Sequence, residues 1–309
     1  MKPPADVSLV FETANDRPDR RIRFEDVVEA WKRQTRADRV LEWLVVSPRE
    51  PTPAETEILS GAPVRWLVRP ELVYYQQKNA GIAEARGALV AFADADALPA
   101  GDWLERALAV LDNAEPRVAL VAGRSAYLPG PFHREMALAQ LGEQTDDPHD
   151  TTQFLAHNIL LRADAVRSTG LYRGDAIRLG SDSELAGRLR ESGYRLRYEP
   201  ALRATHHYDS SWRVLYRSPA RTGYALGSFQ RYLGGPHRNR LRDFAGRVRV
   251  LIARLRRARR PLGLSPWRLP LSVLFIVGYA VAFGYGHELG VRGKAKPFTK
   301  RQVKSVRPG

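Results

Sequence analysis

Residues Leu89–Leu98 read Leu-Val-Ala-Phe-Ala-Asp-Ala-Asp-Ala-Leu, and they restrict the fold more than any other stretch of the chain. Five apolar residues without polar alternation fit a strand buried on both faces, the pattern of a parallel sheet covered by helices. Such sheets bind ligands beyond the carboxyl ends of their strands, which is where Asp94 and Asp96 fall. If the chain stays extended there, period 2 points both carboxylates one way and Ala95 the other. Two converging oxygen ligands suit Mg²⁺ or Mn²⁺ carrying a phosphorylated substrate. Taken alone, Asp-x-Asp is more often a polar turn that closes a strand.

The flanking sequence supplies the other layers. Val7–Phe11, Leu41–Val46, Val64–Val68 and Val118–Ala122 read as further strands. Between them, Phe24, Val27, Val28 and Trp31 recur at helical spacing, Gln76–Arg86 is helical in composition, and a helix is expected over Trp103–Leu111. This alternation predicts an α/β domain with a mostly parallel sheet flanked by helices. Pro129-Gly130-Pro131 opens a stretch, Phe132–Thr152, that reads as a long loop. Ser181-Asp182-Ser183-Glu184 has the serine-to-glutamate spacing of a capping box, starting a helix that Gly193 ends. Tyr194–Tyr198 and Ala201–Thr205 read as two strands finishing at His206-His207.

The character changes after Trp212. The chain carries 49 Lys and Arg against 34 Asp and Glu, a net charge of +15, and the excess is concentrated after residue 210. An anionic partner follows: nucleic acid, a phosphorylated ligand or an anionic membrane surface. Ser218-Pro219 looks like a helix start and Gly234-Gly235 a stop. Leu241, Phe244, Val248, Leu251 and Leu255 then form an apolar stripe among arginines from Arg238 to Arg260, as in a helix lying in a membrane interface. The run Leu269–Gly286 carries no charge. As a helix it would be ~27 Å long, just short of the ~30 Å hydrocarbon core. We therefore expect an α/β domain over 1–215 and a membrane-associating helical extension over 216–309. The extension comprises an amphipathic helix at about 238–260, an apolar helix at about 267–286 and a disordered basic tail.

There are no cysteines, which excludes disulfides, thiolate metal sites and cysteine nucleophiles. Met1–Asp6 lacks an apolar signal core, so no secretory leader is expected.

Several motifs now stand in order. They are the Val7–Asn15 strand and turn; Lys78-Asn79-Ala80-Gly81-Ile82 with Ala85-Arg86-Gly87; and Phe92-Ala93-Asp94-Ala95-Asp96 before Pro99 and Trp103-Leu104. Asn158 with Leu161-Arg162 follows, then Ser181-Asp182 with Arg188-Leu189 and Gly193-Tyr194, and a late His206. Each is weak singly; together, over residues ~5 to ~210, they resemble a family 2 glycosyltransferase with the GT-A fold. The resemblance implies an inverting transfer of sugar from a nucleotide-sugar donor, with a divalent ion stabilising the diphosphate leaving group. It implies Asp96 as metal ligand, Asp94 on the metal or the donor ribose, and His206 completing the metal shell. It also implies Thr13, Asn15, Asn79 and Arg86 on the donor. Asp182 would be the base that takes the acceptor proton, favoured as a carboxylate by its place in the first turn of a helix. His206 fits an ordinary strand-end histidine equally well, and acids in first helical turns are common.

Three departures stand out: Ser47-Pro48 where the family often has a base-recognising aspartate, Glu12 in place of a proline, and Ser181 in place of an acid. Tyr74, Tyr75 and Trp103 read as packing residues. The acceptor implied is a glycan or lipid-linked molecule of the cell envelope, reached from the cytoplasmic side of the membrane by peripheral or single-pass attachment. No nucleic-acid motif accompanies the arginines, and an oligomer is left open. The competing readings are a nucleotidyltransferase of similar architecture, whose glycine-rich phosphate loop is missing after the first strand, and a non-enzymatic anion- or nucleic-acid-binding protein.

Overall fold

The computed structural model describes residues 6–17, 19–175, 180–209, 212–232 and 240–294. Along the chain the strands are β1 (Val7–Glu12), β2 (Val40–Ser47), β3 (Val64–Val68), β4 (Leu89–Asp94), β5 (Ala97–Pro99), β6 (Val118–Tyr127), β7 (His149–Thr151), β8 (Ile159–Arg162) and β9 (Arg195–His206). The α-helices are α1 (Phe24–Lys32), α2 (Pro53–Ile58), α3 (Tyr74–Glu84), α4 (Trp103–Asp112), α5 (His133–Gln140), α6 (Ala163–Thr169), α7 (Ser181–Glu191), α8 (Trp212–Tyr232), α9 (Arg240–Ala258) and α10 (Leu269–Val291).

The strands form one sheet in the order β3-β2-β1-β4-β8-β6-β9-β5, with β7 on β9. β3, β2, β1 and β4 are mutually parallel, as the apolar runs predict. Beyond β4 the sheet is mixed: β8 is antiparallel to both β4 and β6, and only β6 and β9 pair in parallel again. The sheet is thus mostly parallel, as expected, with short antiparallel ladders between β4 and β8, β6 and β8, β5 and β9, and β7 and β9. Burial follows the period of the strands. Val7, Leu9 and Phe11 pack with residues of α1 and α4, while Val10, Val90 and Phe92 pack with Ile82 of α3, Val166 of α6 and Leu185 of α7. Each large apolar side chain fully removed from water contributes ~1.5–3 kcal/mol.

The path of the chain creates the crevice that matters. From β1 it moves to β2 and β3 on one side, then returns to place β4 on the other side of β1. Strand order reverses between β1 and β4, and ligands bind at the carboxyl ends of strands flanking such a reversal. Glu12 and Asp94 end those two strands and stand in register with each other. Gly81 of α3 has a packing role here: a Cβ there would lie 2.2 Å from Val10 Cγ1, so only glycine lets α3 approach β1 this closely.

Several local expectations are corrected. The segment Phe132–Thr152 is not a bare loop; it contains α5 and β7, and α5 buries Glu135, Met136, Ala137 and Leu138. The two late strands are a single strand, β9, whose pairing with β6 shifts register between Gly123 and Arg124, so the extra residues around Pro200 are carried as a bulge. Ser181 does not cap α7. Gly180 does, with φ 87°, a left-handed conformation that favours glycine, and the Ser181 hydroxyl is buried without a hydrogen-bond partner among the described residues. Ser218-Pro219 does not start a helix either: α8 begins at Trp212 and runs through Pro219.

Contacts divide the chain into two units. One is Met1–Asp209 together with Ala253–Leu269; the other is Ser210–Ile252 with Pro270–Gly309. Residues Ala253–Leu269, expected in the extension, thus join the first unit. Within it, the Arg268 guanidinium reaches the buried Glu135 carboxylate at 3.0 Å, and Arg134 donates to the Gly263 carbonyl at 2.7 Å. In the second unit α8 and α10 pack through glycines: a Cβ on Gly223 would lie 2.0 Å from the Phe283 carbonyl oxygen, and one on Gly286 1.8 Å from that of Ala220. Of the expected apolar stripe on α9, Leu251 and Leu255 are buried in protein, which removes them from a membrane interface. Pro266–Val291 is long and apolar enough to cross a membrane by length and composition. The Gly234-Gly235 stop, Arg238 and the basic tail from 295 onward lie outside the described residues.

Candidate functional site

The two aspartates that open the sequence argument do not converge. Asp94, the last residue of β4, points under α3. Its Oδ2 accepts from the Tyr74 hydroxyl at 2.6 Å, and its Oδ1 is engaged by the Lys78 ammonium. Lys78 is fully buried, lying over the Phe92 ring at 4.2 Å and the Tyr74 ring at 4.7 Å. Burial alone would raise the Asp94 pKa; Lys78 more than reverses this and holds it below the ordinary carboxylate value. Both oxygens expected on the metal or the donor ribose are thus engaged by protein groups in this structure. Glu12, beside it on β1, has the opposite character. Its Oε1 accepts from the Asn15 amide at 3.1 Å and its Oε2 is buried without a partner among the described residues. Burial, then repulsion from Asp94, pushes its pKa well above the ordinary value. Of the two neighbouring carboxyls, Asp94 alone is paired with the buried lysine.

Asp96 lies in the turn after β4 and faces the end of β9. Its Oδ1 stands 3.4 Å from His206 Nε2 and its Oδ2 3.6 Å from an Arg20 nitrogen, with the carboxylate almost wholly buried. His206 Nδ1 lies 2.9 Å from the His207 carbonyl, which can only accept, so that nitrogen carries the proton. In the neutral ring Nε2 then presents a lone pair to Asp96 Oδ1, an atom with no hydrogen-bond partner among the described residues. Two acceptors facing each other in a buried site call for a cation between them or a second proton on the ring. A carbonyl that fixes the tautomer from behind is the usual support of a metal-binding imidazole. No group of three or more His, Asp or Glu that could hold a metal occurs among the described residues. Among the described residues, Asp96 and His206 are a pair that could ligate an ion, and Mg²⁺-type ions commonly complete their shell with water and substrate phosphate.

His207 joins the parts. Its backbone N–H donates to the Asp96 carbonyl at 2.8 Å, and its Nδ1 accepts from the Arg21 N–H at 3.0 Å. Behind His206, the His157 ring packs edge-on at 4.8 Å, with its Nε2 2.8 Å from the Ser125 hydroxyl. Burial, then the neighbouring His206, drives the His157 pKa down to about 3, so this ring stays neutral. Asn158 accepts from the Trp103 indole at 2.6 Å and donates to the same serine at 3.1 Å.

Asp182 sits in the first turn of α7, 8% exposed. Burial raises its pKa; the N–H of Ser183, 2.9 Å from Oδ1, the Tyr75 hydroxyl and the Ala156 N–H oppose this, and the balance is about 6. Tyr75 and Tyr172 stack at 5.2 Å, and each feels the charge of both Asp182 and Asp94, so they lie between the two carboxylates.

The remaining expected residues divide. Thr13 and Asn15 form the turn beyond β1: the Thr13 hydroxyl donates to the Val46 carbonyl at 3.1 Å, and Gln77 Oε1 accepts from the N–H groups of Thr13 and Ala14. Asn79 is corrected from a donor contact to a clamp. Its amide donates to the Tyr172 carbonyl at 2.7 Å and accepts the Tyr172 N–H at 2.9 Å, leaving little for a ligand. Arg86 is also corrected. It precedes β4, at the amino ends of the parallel strands, where its N–H donates to Glu42 at 2.7 Å and its guanidinium is largely exposed. Sequence reasoning missed Arg20, Tyr74, Lys78, His157 and His207. Lys78 had a legible signal: it falls three and four residues before Gly81 and Ile82, on the face of α3 that packs on the sheet.

Comparison with known proteins gives three findings. The profile described as Glycosyl transferase family 2 matches residues 25–168. Two proteins from Mycobacterium tuberculosis, strains CDC 1551 / Oshkosh and ATCC 25618 / H37Rv, each named "Pre-mycofactocin glycosyltransferase", are 34% identical over 145 residues, covering 44% of this chain and 30% of theirs. The chain thus spans under a third of the length of those relatives. A crystal structure of GalNAc-T7 with UDP, GalNAc and Mn²⁺ superposes with a TM-score of 0.52 at 15% identity, over 66% of this chain and 43% of that one. At that identity the likeness is one of fold, the GT-A arrangement.

Proposed function

We propose that this chain, whose residues 25–168 match the glycosyl transferase family 2 profile, is a member of that family and moves a sugar from a nucleotide-sugar donor to an acceptor hydroxyl with inversion at the anomeric carbon. The observation that carries the reading is the opposition of Asp96 Oδ1 and His206 Nε2 at 3.4 Å, beyond the carboxyl ends of the parallel strands. Asp96 and His206 would hold Mg²⁺ or Mn²⁺. When bound, the ion supplies positive charge to the diphosphate as the glycosidic bond breaks. Asp182 supplies the other half. Its carboxylate takes the proton of the acceptor hydroxyl as that oxygen bonds to the anomeric carbon and the diphosphate departs from the opposite face. A pKa of about 6 leaves this group ionised at neutral pH yet basic enough to accept the proton. The Thr13–Asn15 turn would line the nucleoside side of the crevice.

The acceptor is a glycan or lipid-linked molecule at the cytoplasmic face of a membrane. Support comes from α10, which is apolar on every side. Its Ile276, Tyr279, Ala280 and Phe283 are buried, while Leu271, Leu274, Val281 and Tyr285 are exposed at spacings of three, seven and four residues, with Trp267 bare just ahead of them. An exposed apolar stripe of this kind is suited to lipid, and an aromatic residue at its end to the headgroup level.

The test is a panel of sugar nucleotides with Mn²⁺ or Mg²⁺, read first by thermal shift and then by release of nucleoside diphosphate. UDP-linked sugars with Mn²⁺ come first, since UDP, GalNAc and Mn²⁺ occupy the GalNAc-T7 structure. A metal-dependent rise in melting temperature with at least one donor, followed by turnover, supports the reading. Absence of any shift across the panel, with nucleotidyl transfer from a nucleoside triphosphate instead, overturns it.

A further inference from the structure

We propose that Arg20 is a leaving-group residue that changes partners. Its guanidinium neutralises Asp96 until a divalent ion takes that carboxylate, and then moves onto the diphosphate of the donor. The inference rests on the metal-dependent transfer set out above.

Asp96 is 1% exposed, and a carboxylate so buried requires a countercharge. Arg20 provides it from 3.6 Å, inside ion-pair range but beyond a directed hydrogen bond. The guanidinium carries no hydrogen bond among the described residues, and it is 22% exposed, open to a ligand arriving from outside. Its backbone, by contrast, is anchored. The Arg20 N–H donates to the Arg17 carbonyl at 3.1 Å. The next residue, Arg21, donates its N–H to His207 Nδ1 at 3.0 Å and its guanidinium to the Pro129 carbonyl at 3.0 Å. His207 in turn holds the Asp96 carbonyl. One chain of bonds thus fixes the base of Arg20 beside the turn that bears Asp96 while leaving its end free to swing.

Charge then dictates the exchange. A divalent ion on Asp96 and His206 places like charge within a few ångströms of the guanidinium and repels it. The same ion brings a diphosphate, whose paired oxygens match the planar fork of an arginine. Arg20 would meet negative charge as it gathers on the leaving group, from outside the Asp96–His206 pair. No covalent bond changes in the exchange itself.

Manganese binding, followed by loss of the free Mn²⁺ electron paramagnetic resonance signal, tests this on the intact chain, with MnCl₂ alone and with MnCl₂ plus inorganic pyrophosphate. Arg20→Gln is expected to bind Mn²⁺ alone at least threefold more tightly than wild type, because a competing cation is gone. It is also expected to lose most of the gain in Mn²⁺ affinity that pyrophosphate gives the wild type. Arg20→Lys keeps the charge and is expected to leave Mn²⁺ binding alone unchanged while still weakening the pyrophosphate effect about tenfold. Asp96→Asn is expected to abolish Mn²⁺ binding in both conditions. If Asp96→Asn binds Mn²⁺ as well as wild type, the metal reading fails whatever Arg20 does. If Asp96→Asn loses the metal but Arg20→Gln matches wild type in both titrations, the exchange is overturned and the metal reading stands.

Discussion

Lys78 sets its ammonium on Asp94 with both side chains almost wholly removed from water. Such a pair is weak evidence of net stability, because desolvating two charges offsets their attraction, but breaking it strands one buried charge. Lys78→Met is therefore expected to destabilise the protein by about 3–5 kcal/mol. Asp94→Asn is expected to cost a comparable amount, and the double variant to recover much of the loss. Urea denaturation of all four proteins measures the coupling. Additive losses would show that the two residues act independently.

Asn79 performs a different task one residue later. Gripping both polar groups of Tyr172, it ties α3 to the segment that leads toward α7. Asn79→Ala leaves a part-buried N–H and carbonyl without partners, and the expected cost is about 1–3 kcal/mol. Because Tyr172 stacks on Tyr75 beside Asp182, kcat is expected to fall more than affinity for the donor does. Equal stability with unchanged kcat would reduce the clamp to a surface contact.

Much of this was legible in the sequence. The runs at Val7, Val64 and Leu89 became strands where expected because short, predominantly apolar stretches have few other solutions in water. Asp182 was singled out through its motif and Asp96 through its place after a buried strand, and both are buried carboxylates in the structure. What failed depended on tertiary facts. Whether Asp94 faces a ligand or a helix turns on Tyr74 and Lys78 reaching it from α3, and nothing in the Asp-x-Asp spacing reports that. Asn79 looked like a ligand contact because an asparagine that clamps backbone and one that binds substrate read alike along the chain. Arg86 was misplaced because its motif lies next to β4 in sequence, while the residue sits at the wrong end of that strand. α5 was missed because its eight residues follow Pro-Gly-Pro and begin after Phe132 in a left-handed conformation, which no local preference predicts.

The packing of α8 on α10 offers a prediction confined to the second unit. A side chain at Gly286 would run into the Ala220 carbonyl at 1.8 Å, backbone that cannot rotate aside. Gly286→Leu is expected to cost that helix pair ~3 kcal/mol. Limited proteolysis is expected to show earlier cleavage within 212–252 or 270–294, while the thermal shift given by Mn²⁺ with a sugar nucleotide persists. Loss of the donor response together with early cleavage would mean that the two units do not fail separately.

Asp182 makes the sharpest prediction, because activity and stability should respond to it in opposite directions. In the proposed role of acceptor base it must be ionised, so kcat/KM is expected to rise with pH through about 6 and then level off. Asp182→Asn is expected to remove the base and lower kcat by ~10²–10⁴. Folding carries the reverse sign. The folded-state pKa is raised from 3.8 to about 6, so the native chain binds the proton more tightly than the unfolded one. The stabilising effect of that proton is complete below 3.8 and lost as pH climbs through 6. At roughly 1.4 kcal/mol per pH unit between the two values, wild type carries a burden on the order of 3 kcal/mol at pH 8. The asparagine variant has no charge to bury. Its melting temperature is expected to match wild type near pH 4 and to exceed it by several degrees at pH 8. If instead the variant is inactive and also less stable at pH 8, the carboxylate is held by bonds that the buried geometry of α7 does not account for, and the assignment of a strained, poised base is wrong.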